Sequence, residues 1–166
     1  MYRYLTEMIA MKDKLRNLLE TAGWHPQRAV ELRTNEWLAE ADKYGYSLNK
    51  PALKILSEFG DLLIVPNVRG KKVQPSTVHM DPTVLFCNED KEVINLYEEN
   101  LGISLSIVGW VEPSGDTILV GENGSTYLHG ILFLKAGDNF LDALESILFG
   151  YKMKFFDLDD LDWFRC

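Results

Sequence analysis

The clearest alternation of apolar and polar positions runs from Leu101 to Leu134, LGISLSIVGWVEPSGDTILVGENGSTYLHGILFL. Ile103, Leu105 and Ile107 alternate with Ser104 and Ser106, the period of two expected of a half-buried strand. Pro113-Ser114-Gly115-Asp116 interrupts the run, and Ile118, Leu119 and Val120 resume it. Asn123-Gly124 then supplies the dipeptide suited to a type I′ hairpin, after which Tyr127, Leu128 and Ile131 to Leu134 continue the sheet. The pattern predicts an antiparallel β-meander at the centre of an α+β fold, flanked by N-terminal helices, one inserted helix and a C-terminal helix.

Helical periodicity marks the flanking elements. Tyr4, Met8, Met11, Leu15, Leu18, Leu19 and Ala22 recur at helical spacing, predicting an amphipathic helix from about Leu5 to Thr21 that Gly23 and Pro26 end. Trp24 in this break suits a core anchor better than a ligand platform. Residues 27–33 are compatible with either a short helix or an extended stretch. Thr34 is the expected N-cap of a second helix through Tyr44, with Trp37, Leu38 and Ala41 on one face. Asn49 or Lys50 precedes Pro51 at the start of a third, PALKILSEF, stopped by Gly60.

Leu62 to Val65, ended by Pro66, suits an edge strand. Asn67 to Asp81 lacks periodicity and holds the most basic spot, Arg69-Gly70-Lys71-Lys72, expected to be a solvated loop. Thr83 to Cys87 is predicted as a strand, with Cys87 a small buried residue. Asn88 is the expected cap of a helix to Asn100, closed by Gly102, and Asp138 the expected cap of the last helix, which Gly150 stops. The predicted organisation is one domain over 1–150 and an acidic, aromatic C-terminal extension over 151–166.

Composition narrows the chemistry. The 166 residues suffice for a domain that buries roughly 70% of its unfolded surface. Cys87 and Cys166 cannot build a disulfide framework, so a reducing, cytoplasmic setting is expected. No signal-peptide core and no apolar run of roughly 20 residues is present, which argues against a membrane role. The formal net charge is −8, unevenly placed: residues 1–80 carry 12 Lys and Arg against 9 Asp and Glu, residues 81–166 carry 5 against 16. Direct nucleic-acid binding is thereby disfavoured, since phosphate contacts require clustered Lys and Arg. A basic protein partner fits, and so does mere solubility.

Catalytic and cofactor signals are sparse. His25, His79 and His129 fall in different predicted elements, without metal-ligand spacing, CxxC or HExxH. His79 and Asp81 are the nearest imidazole–carboxylate candidates. Gly121-Glu122-Asn123-Gly124 lacks the lysine and the helix of a phosphate-binding loop. No cofactor, no metal and no enzymatic activity are expected.

The order of motifs resembles the third subfamily of the SUKH superfamily. Leu18 to Pro26 with Arg28 resembles its opening helix, Gly-Trp pair, proline and arginine. Phe59-Gly60 before a strand and Pro66, Asp81-Pro82, Val108-Gly109, Glu122-Asn123-Gly124 with Tyr127, and Gly137 to Gly150 follow in the family's order. Ile107 and Trp110 stand where the family usually has proline and glutamate, and the tail beyond Gly150 has no counterpart. The resemblance implies an α+β fold and an immunity protein that binds and occludes a cognate bacterial toxin domain, often a nuclease or deaminase. The alternative is a regulatory or scaffolding interaction domain of the same fold. Trp24, Pro26, Phe59, Gly60, Pro66, Gly109, Gly124 and Tyr127 are then scaffold. Candidate partner contacts are Asp157, Asp159, Asp160, Asp162 and Trp163 in the tail, with Glu122 and Trp110 in the meander.

Overall fold

The computed structural model describes residues 13–66, 75–150, 153–157 and 162–165. Tyr4, Met8 and Met11 of the first stripe, the basic Arg69–Lys72 spot, Asp159, Asp160 and Cys166 lie outside the described residues. The helices are α1 (13–21), α2 (Glu31–Lys43), α3 (Lys50–Phe59), α4 (Thr83–Phe86), α5 (Lys91–Leu101) and α6 (Phe140–Phe149). The strands are β1 (Leu63–Ile64), β2 (Thr77–His79), β3 (Leu105–Glu112), β4 (Thr117–Gly121), β5 (Thr126–His129), β6 (Phe133–Gly137), β7 (Lys154–Asp157) and β8 (Asp162–Arg165).

All eight strands form one antiparallel sheet in the order β1 to β8, each paired with its neighbour in sequence. The α+β meander is therefore present, and its two faces carry separate cores. Val108, Val111, Ile118, Val120, Leu128 and Ala136 pack with Leu15, Leu19, Leu56, Phe59, Leu144 and Ile147, so α1, α3 and α6 cover that face. Leu105, Ile107, Leu119, Tyr127 and Phe133 pack with Phe86, Ile94 and Tyr97 of α4 and α5. This corrects the half-buried alternation expected of β3. Ser106 is buried because it accepts from the Asn49 N–H at 2.8 Å and donates to the Ser47 carbonyl at 3.0 Å, satisfying its hydroxyl under α3.

Several boundaries differ from the sequence expectations for local reasons. Helix α2 begins at Glu31 without a side-chain cap, and Thr34 lies inside it, its hydroxyl donating to the Val30 carbonyl at 2.9 Å. Thr83 to Cys87 is a helical turn rather than a strand. Asp81 accepts from both the N–H (3.0 Å) and the hydroxyl (2.6 Å) of Thr83 and folds the chain at Pro82. That turn puts Phe86 inside and leaves Cys87 exposed, not buried. Asn88 donates back to the Val84 carbonyl at 2.6 Å, so Asp90 caps α5 instead.

Asp138 pairs with Lys135 at 2.6 Å, and Asn139 caps α6. Between β4 and β5 only Gly124 takes positive φ (85°), while Asn123 accepts from the Ser125 N–H, so the link is not a type I′ pair. Ile131 and Leu132, expected in a strand, form an exposed turn before β6. The acidic tail forms the β7–β8 hairpin. The other helix signals stand: Asn49 caps α3, Gly60 ends it, and Gly102 and Gly150 close α5 and α6 in the left-handed conformation.

Candidate functional site

Three of the motif residues, Arg28, Gly60 and Asp81, meet at one corner. Trp37, 1% exposed, donates its indole N–H to Asp81 at 3.1 Å. Asp81 also meets Arg33 (3.3 Å) and the two Thr83 donors. Burial by itself would raise the Asp81 carboxyl, but the Thr83 hydroxyl and N–H, the Trp37 indole and Arg33 more than offset it and hold Asp81 below the ordinary carboxylate range. Gly60 lies flat on the Trp37 ring, where a Cβ would collide with that ring and with the Leu56 carbonyl. Arg28 donates to the Glu58 (2.8 Å) and Gly60 (2.7 Å) carbonyls, satisfying the end of α3.

Trp24 is half-buried, stacked 6.1 Å from Phe59 and donating to Glu58 at 3.1 Å. Pro66 is buried beyond β1, and Tyr127 stacks on Phe133 at 5.4 Å. Gly109 sits at a register shift where β3 passes so near the His79 carbonyl that no Cβ fits. A groove of about 550 Å³ runs between α1, the Trp24 turn and the start of α6; Trp24, Pro26, Phe59, Leu141 and Glu145 help to line it.

The expected partner contacts do not form one group. Trp110 stacks on His79 (3.9 Å, 7°), whose Nε2 is 3.1 Å from Glu112. The imidazole thus pairs across the sheet with Glu112, and Asp81, the carboxylate the sequence suggested, is committed to Trp37. Strand register places Trp110, Thr117, His129, Phe133, Phe156 and Trp163 in one row across β3 to β8. Asp157 and Asp162 oppose each other at the hairpin end beyond that row. Glu122 lies elsewhere, beside Leu105 at the opposite end of β3, accepting from the Ser104 hydroxyl at 3.0 Å.

One polar cluster has no sequence signal at all. Glu89, between α4 and α5, accepts from the Thr117 hydroxyl and lies 3.6 Å from His129 Nε2, while His129 Nδ1 is 3.1 Å from the Tyr97 hydroxyl. The Glu89 and His129 side chains are only 14% and 18% exposed. Burial, and secondarily Glu89, pushes the Tyr97 phenol up. The cluster joins α5 to the sheet with its polar atoms mutually paired, as buried polar groups require. Among the described residues no set of His, Cys, Asp or Glu could hold a metal ion, and no helix is long and apolar enough to cross a membrane.

The family model described as SUKH-3 immunity protein matches residues 11–150, which takes in the motif corner, both cores and the sheet through β6. No curated protein and no solved structure matches the chain significantly.

Proposed function

Because the chain belongs to the SUKH-3 immunity protein family, we propose that it neutralises one cognate toxin domain by covering it stoichiometrically, without catalysis of its own. The family match carries this reading, and the charge division refines it. The excess of acid after residue 80 suits a toxin with a basic substrate cleft, the surface a nuclease or nucleic-acid deaminase presents to phosphate. An acidic protein occupying that cleft displaces the nucleic acid and needs no reactive group. The cytoplasm, where such a toxin meets its substrate, is the compartment of action.

Asp157, Asp159, Asp160, Asp162, Trp163 and Trp110 are the contacts proposed for the toxin, with Glu122, at the opposite end of β3, a separate one. Charges at a rim steer encounter and change association rate more than final affinity. Replacing the four tail aspartates by asparagine is therefore expected to slow association with the toxin domain encoded beside this chain. The slowing should reach about tenfold at low salt and shrink at high salt, with melting nearly unchanged. Equal association rates for variant and wild type at every ionic strength would remove the tail from the interface.

A further inference from the structure

Helix α5 covers an apolar sheet face while burying little of itself. Of its eleven residues Ile94 and Tyr97 are buried, with Val93 and Leu101 partly so, against six of ten in α6 on the other face. Beneath it lie Leu105, Ile107, Leu119, Tyr127 and Phe133. Tyr97 stacks on Phe133 with ring centroids 3.8 Å apart and planes 5° from parallel. The same side chain begins a polar chain. Its hydroxyl is 3.1 Å from His129 Nδ1, His129 Nε2 is 3.6 Å from Glu89, and Glu89 accepts from the Thr117 hydroxyl. Glu89 and Tyr97, from the helix side, are thereby fastened to His129 on β5 and Thr117 on β4.

Elsewhere α5 is held at its ends. Lys91, which is exposed, donates to the Gly45 carbonyl, a bond that water can replace at small cost. The Tyr46 hydroxyl donates to the Glu89 carbonyl at 3.1 Å, and Glu98 accepts from the Leu105 N–H at 2.7 Å. The helix then ends at Gly102, whose φ is 67° and where a Cβ would meet no atom within 4 Å. That open, left-handed glycine is a free pivot between α5 and β3. Lifting the helix about it exposes a small apolar area and returns Glu89, His129 and Thr117 to water. Their rehydration offsets part of the cost, which a purely apolar contact would not recover. Few buried apolar residues mark a segment of low local stability. We propose that α5 is a strap that opens as a unit before the rest of the fold, pivoting at Gly102, with Tyr97, His129, Glu89 and Thr117 as its latch. The opening is a property of the chain alone and requires no toxin.

The test is residue-resolved native-state hydrogen exchange on the full chain at constant pH, for wild type, Tyr97→Phe and Thr117→Val. In wild type the amides in the second half of α5 are expected to exchange about a hundredfold faster than those of β4 and α6. Tyr97→Phe keeps the ring on Phe133 and removes the hydroxyl, so His129 Nδ1 loses its partner whichever ring nitrogen carries the proton. Thr117→Val keeps the side-chain shape and removes the donor to Glu89. Each variant should speed α5 exchange about tenfold, the usual consequence of one buried group left unpaired, with β4 and α6 within roughly twofold of wild type. The two changes cut the latch at opposite ends, so a folding defect in one leaves the other to decide.

Equal protection of α5, β4 and α6 in wild type would show that the helix opens only with the whole fold, and would overturn the strap. Fast exchange in α5 that neither variant changes would overturn the latch. Acceleration spread evenly over α5, β4 and α6 would overturn it too, making the four residues part of the common core.

Discussion

Asp81 shows how much one side chain can organise. It receives hydrogen bonds from Trp37 and Thr83 and an ion pair from Arg33, so α2, the turn after β2 and the start of α4 all meet at one carboxylate. Its pKa is lowered in the folded chain, which fixes the sign of its pH effect. The stability it contributes is complete above the unfolded value, about pH 4, and is lost as pH falls through the lower folded value. Asp81→Asn is expected to lower Tm at pH 7 and to approach wild type below about pH 4. Melting curves across that range check it, and a gap undiminished at low pH would mean the carboxylate charge is not what matters. Gly60, flat against the Trp37 ring at the same corner, depends on the absence of a side chain rather than on unusual backbone angles.

Among the elements, α3 is tied to the sheet through its own N-cap. Asn49 caps it through the Ala52 N–H at 3.0 Å, and the same side chain donates to the Val120 carbonyl at 2.9 Å. Asn139 also caps its helix, α6, and its Nδ2 meets only Asp142 of that helix. The comparison separates capping from anchoring. Asn139→Ala should cost about 1 kcal/mol, the usual value of a lost cap. Asn49→Ala should cost about 2–4 kcal/mol, because a strand carbonyl is left unpaired as well. Chemical denaturation with unchanged m-values would measure both, and equal losses would show that the sheet bond contributes nothing.

At the scale of the whole molecule, the β7–β8 hairpin extends the sheet beyond β6. Chain 1–150 contains both cores and the region matching the family, so it is expected to keep one cooperative unfolding transition. It would also leave the backbone of β6 unpaired, an edge open to self-association. Sedimentation at rising concentration should therefore show oligomers that the full chain does not form, and toxin neutralisation should be lost with the acidic hairpin. A truncated chain without a cooperative transition would make β7 and β8 part of the folding core.

The legible part of this protein was whatever local chemistry decides. The strands of the meander from Leu105 to His129, the Asn49-Lys50-Pro51 start of α3 and the glycines at 102 and 150 each settle a few backbone angles without reference to distant residues. The family motifs were legible for the same reason, being short runs whose order survives along the chain. Cap choices at Thr34, Asn88 and Asp138 were misread because each polar side chain found a nearer partner once the helices were in place. The burial of Ser106 and the exposure of Cys87 depended on which helix covers which face. The Glu89–Thr117–His129–Tyr97 cluster exists only through strand register. Register brings together residues far apart in the chain, and no spacing along the sequence encodes a distance measured across a sheet.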